Sequence, residues 1–253
     1  MSNKTMLGDA SGRGAVDGFR VTCPAMQHPY TEAEIDAVVK VMREACGQTQ
    51  GKYMVEFEQA FCAFTGAKHA FAVNNCTSAL KMAAIFCHIQ PGDEVIIPTP
   101  YWTSYPEAVK LAGGVPVTVF AGADRNFEPS IEDIEAARTE HTKAIIVNTP
   151  NNPTGAVWKP ETVKAIAQWA IEHHVWVISD EIYEHLNYDG AKTTYIGAAV
   201  PEVRSQLLVL NGVAKTYAMP GWRVGWMIAP VDVAKAASKL QGHMTSNVNN
   251  ISQ

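Results

Sequence analysis

The sequence predicts an α/β fold with a mostly parallel central sheet flanked by helices. From about residue 69 to residue 230, short apolar runs alternate with amphipathic segments, an order typical of parallel sheets. Most of these runs end in polar or aromatic residues, as strands do where an α/β sheet binds ligands. The chain has 253 residues, of which 47% are hydrophobic and 18% are charged, and this is sufficient for one large core.

Two helices are predicted before the first strand. Thr31 and Glu34 form a capping-box pattern, and apolar residues follow them at helical spacing. A second amphipathic segment carries apolar residues from Val55 to Phe64. Gly66 is expected to end this second helix, because glycine readily adopts the left-handed conformation found after helix ends.

Six short apolar runs are predicted as the strands of the sheet. They span residues 69–73, 95–97, 115–120, 144–147, 176–178 and 207–210. Helices are predicted between them over residues 79–87, 109–112, 130–138 and 163–171. Because the carboxyl ends of parallel strands lie at the same edge of a sheet, the polar residues that follow these runs are expected to converge.

A lysine and an arginine follow the last of these runs. Lys215 comes directly after the turn at Asn211 and Gly212, and Arg223 lies eight residues later inside a second apolar run. An ordinary loop lysine that extends into solvent explains Lys215 by itself about equally well. The pair nevertheless suits pyridoxal phosphate, whose aldehyde forms a Schiff base with a lysine and whose phosphate binds a cation.

Two earlier strand ends offer a phosphate site and a ring stack. Thr77 and Ser78 precede a helical run, where a hydroxyl and free backbone N–H groups bind anions. A simple helix cap is the alternative for both residues. Trp102 or Tyr101 follows the second run and suits stacking on a heteroaromatic ring, with packing in the core or an interface as the alternative.

The remaining strand ends supply an amide, a carboxylate and a phenol. Asn152 lies in a proline-rich loop, and Asp180 and Tyr183 closely follow the run 176–178. Chemistry on pyridoxal phosphate needs a carboxylate that keeps the pyridine nitrogen protonated, and it needs donors on the phenolic oxygen. Asp180 fits the first role, and Asn152 with Tyr183 fits the second. Lys215 supplies the amine and then carries the proton shift.

Three segments carry a resemblance to a known family. Residues 148–155 (NTPNNPTG), 179–183 (SDEIY) and 211–225 (NGVAKTYAMPGWRVG) resemble the signature segments of class I/II aminotransferases. These are fold-type I enzymes that use pyridoxal phosphate, and the match is closest to bacterial aspartate aminotransferases. The resemblance runs from about residue 91 to residue 253.

The resemblance implies a role for each candidate residue. It implies Lys215 as the Schiff-base lysine, Asp180 on the pyridine nitrogen, Asn152 and Tyr183 on the phenolic oxygen, Arg223 on the phosphate and Trp102 as the ring stack. Enzymes of this fold type are generally homodimers, so the resemblance implies a homodimer as well. It implies no metal site.

The first third of the chain departs from this pattern. Residues 30–93, with the segment 75–80 (NCTSAL), resemble DegT-type sugar aminotransferases more closely. That family is also fold-type I and binds the phosphate with the Thr-Ser segment, so Thr77 and Ser78 keep their implied role. Aspartate aminotransferases also continue into a C-terminal small domain with an arginine that binds the substrate α-carboxylate, and this sequence offers no match to that arginine.

The expected domain organisation follows from these resemblances and from composition. Residues 1–20 are rich in Gly, Ser, Asp and Asn and are predicted to be a disordered leader. Residues 21–50 are an N-terminal segment, and residues 51–253 are the predicted large domain that binds pyridoxal phosphate. The C-terminal small domain is expected to be absent.

The predicted function is a transaminase that moves an amino group from an L-amino acid, with aspartate as the model donor, to a 2-oxo acid. A sugar-nucleotide aminotransferase and an inactive cofactor-binding fragment remain alternatives. A net charge of -5 without a basic block gives no case for nucleic acid or membrane partners. Five cysteines without a Cys-x-x-Cys pair, and no signal-peptide core, favour the cytoplasm.

Overall fold

The computed structural model describes residues 30–44, 51–244 and 248. The predicted leader, residues 1–20, lies outside this part of the chain. The strands are β1 (Ala70–Val73), β2 (Glu94–Thr99), β3 (Val115–Phe120), β4 (Thr142–Asn148), β5 (Trp176–Asp180), β6 (Leu207–Gly212) and β7 (Gly225–Ile228). The α-helices are α1 (Glu32–Glu44), α2 (Lys52–Thr65), α3 (Cys76–Phe86), α4 (Ser104–Leu111), α5 (Ile131–Ala137), α6 (Pro160–Glu172), α7 (Ile196–Ala199) and α8 (Val231–Met244).

All seven strands form one sheet in the order β1-β7-β6-β5-β4-β2-β3. Strand β7 is antiparallel to both of its neighbours, β1 and β6, and the other adjacent strands pair in parallel. The six predicted strands are all present, and the prediction of an α/β fold with a mostly parallel sheet is confirmed. The seventh strand, β7, lies in the second apolar run, which the sequence analysis did not assign to a strand.

Helices cover both faces of this sheet, and strand periodicity decides which residues face which core. Val95 and Ile97 of β2 pack in the core formed with α3, α4 and α8, whereas Ile96 packs in the core formed with α5, α6 and α7. Successive residues of a strand point to opposite faces, so a sheet covered on both faces needs an uninterrupted apolar run. This is why the central strands show continuous rather than alternating hydrophobicity.

The first two helices follow the predicted capping signals. The carboxylate of Glu34 accepts a hydrogen bond from the backbone N–H of Thr31 at 2.6 Å, and the Thr31 hydroxyl accepts one from the Glu34 N–H at 3.3 Å. Gly66 ends α2 with a φ of 69°, as predicted. Phe61 of α2 packs on Trp226 of β7 with ring centroids 4.7 Å apart, and this contact attaches the helix to the sheet.

Gly225 lets the start of α3 lie directly against the sheet. Gly212 of β6 and Gly225 of β7 are opposite each other in the antiparallel pairing. A Cβ atom on Gly225 would lie 2.9 Å from backbone atoms of Asn75 and Cys76, closer than Cβ atoms normally approach. The first turn of α3 is therefore held beside the two strands whose connection carries Lys215 and Arg223. Over the described ranges, no helix is long and apolar enough to cross a bilayer.

Candidate active site

Asp180 is the most deeply buried of the predicted polar residues. It is the last residue of β5 and only 2% of its surface is exposed. The carboxylate accepts a hydrogen bond from the Tyr105 hydroxyl at 2.8 Å and one from the backbone N–H of Ile182 at 3.2 Å. The thiol of Cys76 lies 3.7 Å from the same carboxylate. Burial raises the pKa of Asp180, and these three neutral donors oppose that effect.

The sequence analysis missed Tyr105 and Cys76, the two side chains that contact this carboxylate. Tyr105 is in the first turn of α4, which begins at Ser104 and thus earlier than the apolar run at 109–112 predicts. Cys76 opens α3, which also begins before the predicted run. Burial raises the pKa values of the Tyr105 phenol and the Cys76 thiol well above their ordinary values, so both remain protonated donors at neutral pH. A prediction that began α3 at Cys76 and α4 at Ser104 would have placed Cys76 and Tyr105 at the sheet edge.

Asn152, Tyr183 and Lys215 lie together, as their positions at strand ends predict. The Nδ2 of Asn152 donates a hydrogen bond to the Tyr183 hydroxyl at 3.1 Å. The Nζ of Lys215 is 5.7 Å from the centroid of the Tyr183 ring. An amine, a phenol and an amide from three different strand ends therefore meet at one place, although residues 152 and 215 are far apart in sequence.

Trp102 joins the group around Asp180 through Tyr105. The two rings meet edge to face, with centroids 5.6 Å apart and planes at 88°. Trp102 is half-buried and packs against the core on the side of α3 and α4. Both alternatives from the sequence, a ring stack and core packing, are compatible with this position, because the indole packs against the core and part of its surface is accessible.

Thr77 and Ser78 lie in the first turn of α3, but a neighbour provides the helix cap. The side-chain oxygen of Asn75 accepts a hydrogen bond from the backbone N–H of Ser78 at 2.8 Å. The alternative that Thr77 or Ser78 caps the helix is therefore wrong for this structure, since Asn75 takes that position. The Ser78 N–H is already bonded here, so the group that Ser78 still offers is its hydroxyl.

Arg223 lies in the connection between β6 and β7 in a left-handed conformation, with a φ of 58°. Its guanidinium donates a hydrogen bond to the carbonyl of Pro220 at 2.8 Å and is otherwise exposed. Within the described ranges no hydrogen bond joins Arg223 to the other candidate residues. Its remaining donors face solvent on the connection that also carries Lys215.

Two buried polar atoms close to these residues have no hydrogen-bond partner among the described residues. They are the hydroxyl of Thr216, which follows Lys215, and the side-chain oxygen of Asn74, which precedes the cap residue Asn75. Buried polar groups normally find a partner, so unpaired ones indicate a place where a ligand or water completes the network. Both lie in segments that the cofactor prediction uses.

Glu181 is a second buried acid at this sheet edge, and the sequence analysis gave it no role. Burial raises the pKa of Glu181 from its ordinary value of 4.5 to about 8, a shift opposed by the hydrogen bond from the Ser179 hydroxyl at 3.0 Å and reinforced by the nearby charges of Glu184 and Asp180. Glu181 is therefore largely neutral at pH 7 in the folded chain, although it is ionised in the unfolded chain.

Replacing Glu181 with glutamine is expected to remove part of the pH dependence of stability. Because the folded pKa exceeds the unfolded one, the contribution of Glu181 is fully present below about pH 4.5 and is lost as the pH rises through about 8. Urea unfolding should show the wild-type chain losing about 3–5 kcal/mol more than Glu181→Gln between pH 4.5 and pH 8. Parallel pH profiles for the two chains would contradict this assignment.

The fold and this group of residues define a class of protein. A mostly parallel sheet, with a lysine, a buried carboxylate and an amide–phenol pair after its strands, is the architecture of fold-type I pyridoxal phosphate enzymes. The family model for aminotransferases of class I and II matches residues 24–253, and the chain belongs to that family. Members of this family use pyridoxal phosphate.

Individual relatives agree with this assignment. An aspartate aminotransferase of Streptomyces avermitilis is 44% identical over 254 residues, which cover 95% of this chain and 60% of that protein. An aspartate aminotransferase of Geobacillus stearothermophilus is 48% identical over 165 residues, which cover 65% of this chain and 42% of that protein. The chain thus spans no more than about 60% of the length of these curated relatives.

Solved structures of the family superpose on this chain. An aspartate aminotransferase from Thermus thermophilus with maleate gives a TM-score of 0.78 at 35% identity, covering 88% of this chain and 59% of that one. An aromatic aminotransferase from Pyrococcus horikoshii gives a TM-score of 0.81 at 30% identity, covering 89% and 63%. The family match includes residues 30–93, and these comparisons do not favour the sugar-nucleotide alternative.

Proposed function

We propose that this chain belongs to a pyridoxal phosphate-dependent transaminase that moves an amino group from an L-amino acid to a 2-oxo acid. The observation that carries the proposal is the meeting of Lys215 with the Asn152–Tyr183 pair beside buried Asp180. L-Aspartate is the proposed donor, because relatives at 44% and 48% identity are named aspartate aminotransferases.

The residues around Asp180 fit the pyridine end of the cofactor. Among the described residues, the hydrogen bonds to the carboxylate come from neutral groups, and no cation pairs with it. A protonated ring nitrogen would supply that positive charge, and a buried carboxylate gains most from such a partner. Tyr105 and Cys76 hold the carboxylate in one orientation for this contact, and Trp102 provides a flat face beside it.

The residues around Lys215 fit the reactive end. When bound, pyridoxal phosphate supplies an aldehyde that bonds to an amine and a ring that accepts electrons. Asn152 and Tyr183 are joined by a hydrogen bond, so their polar groups lie close together. Two groups that both donate to the phenolic oxygen of the cofactor need to lie this close. Lys215 supplies the amine, and once it is freed from the cofactor its Nζ would move a proton from the substrate carbon to the cofactor.

The phosphate end is proposed to lie between the start of α3 and the connection from β6 to β7. Arg223 has donors without a hydrogen-bond partner among the described residues, and the hydroxyls of Thr77 and Ser78 lie on the first turn of α3. The hydroxyl of Thr216 gives independent support, since it is buried on the same connection and has no hydrogen-bond partner in the part of the chain that the structure describes.

We also propose an oligomeric state, a cellular location and a domain assignment for this protein. The active form is a homodimer, as enzymes of this fold type generally are. The protein acts in the cytoplasm, which an odd number of cysteines without a Cys-x-x-Cys pair favours. Residues 51–253 correspond to the large domain that binds the cofactor.

An absorbance titration of the cofactor-loaded chain with L-aspartate tests the proposal. The expected result is loss of the absorbance of lysine-bound cofactor, with its return on addition of a 2-oxo acid. Loaded chain that ignores L-aspartate and other L-amino acids would support an inactive cofactor-binding fragment instead. A chain that takes up no cofactor would overturn the assignment of these residues.

A further inference from the structure

Asn148 is a buried amide that contacts two of the site residues at once. It is the last residue of β4, lies opposite Asp180 in the pairing of β4 with β5, and is 4% exposed. Its Nδ2 donates a hydrogen bond to the backbone carbonyl of Asp180 at 3.0 Å. Its Oδ1 accepts one from the backbone N–H of Asn152 at 2.9 Å. One side chain therefore links the two neighbouring strand ends.

The local sequence explains why a side chain makes this link. Regular pairing of β4 with β5 stops at Asn148, and the chain continues through Thr149 to Pro150. Proline has no backbone N–H, so the strand cannot extend its ladder past this point. The Asn148 amide takes over the role of a backbone N–H toward Asp180, and at the same time it fixes the start of the loop that carries Asn152.

This link connects the two halves of the proposed cofactor site. On one side, Asp180 presents the carboxylate that Tyr105 binds at 2.8 Å. On the other side, the Asn152 amide binds the Tyr183 hydroxyl at 3.1 Å. The carboxylate and the amide–phenol pair must contact different edges of one rigid ring, so their separation must be held constant.

We propose that Asn148 is a positioning residue that sets the separation between the Asp180 carboxylate and the Asn152–Tyr183 pair. The inference rests on the proposed function, since it assigns Asn148 a purpose toward the bound ring. Only an amide supplies both a donor for the Asp180 carbonyl and an acceptor for the Asn152 N–H at this spacing. Aspartate keeps the shape but loses the donor, and serine is too short to reach both partners.

The expected consequence of losing this link is a shift in the titration of lysine-bound cofactor. Donors on the phenolic oxygen stabilise its ionised form and thereby lower the pH at which the lysine-bound group loses its proton. Without Asn148, the loop that carries Asn152 is no longer fixed to β5, and the amide donates less well. The midpoint of the absorbance change with pH should therefore move upward.

The test compares Asn148→Asp and Asn148→Ser with the wild-type chain, each loaded with pyridoxal phosphate. Gln206→Leu is the matched control, because the Gln206 amide also links two backbone carbonyls, those of Ala170 and Val175, and it contacts none of the proposed cofactor ligands. Both Asn148 variants should raise the pH midpoint by about one unit, a tenfold change in the equilibrium. The control should leave the midpoint unchanged while it lowers thermal stability.

Several outcomes would overturn the inference. Asn148 variants that titrate as the wild type does would sink it while leaving the proposed function intact, provided that the wild type responds to L-aspartate. An equal shift in Gln206→Leu would show that lost stability alone moves the midpoint. Should Asn148→Asp fail to fold, Asn148→Ser decides by the same criterion. A wild-type chain that takes up no cofactor would overturn both the inference and the proposed function.

Discussion

Replacing Lys215 with alanine is expected to abolish the covalent attachment of the cofactor and to lower the rate of amino transfer by at least about 10³-fold. The Nζ of Lys215, 5.7 Å from the centre of the Tyr183 ring, is the proposed amine for this bond. The same nitrogen is the proposed carrier of the proton between substrate carbon and cofactor, so one substitution removes two functions. General acid–base catalysis alone contributes about 10²- to 10⁴-fold.

Borohydride reduction followed by mass spectrometry measures this attachment directly, because reduction makes the bond between lysine and cofactor permanent. The wild-type chain should gain the mass of one reduced cofactor, located on the peptide that contains Lys215. Lys164→Ala is the matched control, since Lys164 lies on the exposed side of α6, and it should be labelled as the wild type is. Equal labelling of Lys215→Ala would show that another lysine binds the aldehyde and would remove the basis of the proposal.

The fold could be predicted in large part because its central strands are covered on both faces. Such strands need continuous apolar runs, and all six predicted runs, including those of the edge strands β1 and β3, proved to be strands of one sheet. The seventh strand, Gly225–Ile228, was not assigned because it follows Arg223 closely and begins with a glycine. That glycine is required by the backbone of α3, a contact that depends on the tertiary structure and leaves no local periodicity.

The candidate site was predictable to the level of which residues meet. Asn152, Tyr183 and Lys215 follow three different strands, and parallel pairing alone brings such positions to one edge. The contacts that orient these groups were not predictable. Tyr105 and Asn148 both donate hydrogen bonds to Asp180. The direction of each side chain depends on where α4 begins and where β4 ends, and sequence patterns define such boundaries only to within a few residues.

Replacing Asp180 with asparagine is expected to lower the rate of amino transfer by about 10²- to 10³-fold while Lys215 still binds the cofactor. Asparagine preserves the shape of the side chain and can still accept the hydrogen bond of Tyr105, but it cannot balance the charge of a protonated ring nitrogen. Removing one partner of a buried ion pair costs about 3–5 kcal/mol, and each 1.4 kcal/mol corresponds to a factor of ten in rate. Single-turnover absorbance with saturating L-aspartate measures the loss.

Tyr105→Phe is the matched control, because it removes one hydrogen bond and keeps the charge, and its rate should fall by only about tenfold.

Stability should respond to Asp180→Asn in the opposite sense from activity. Burial raises the pKa of Asp180, so the stability that this carboxyl contributes to the cofactor-free folded chain falls as the pH rises above its ordinary pKa. The cofactor-free variant should therefore unfold at the same or a higher urea concentration than the wild type at pH 7. A variant that loses both activity and stability would indicate a structural role for Asp180, whereas lost activity with preserved stability fits a charge kept for a ligand. The second outcome is the expected one, because residues held for function commonly cost the folded chain stability.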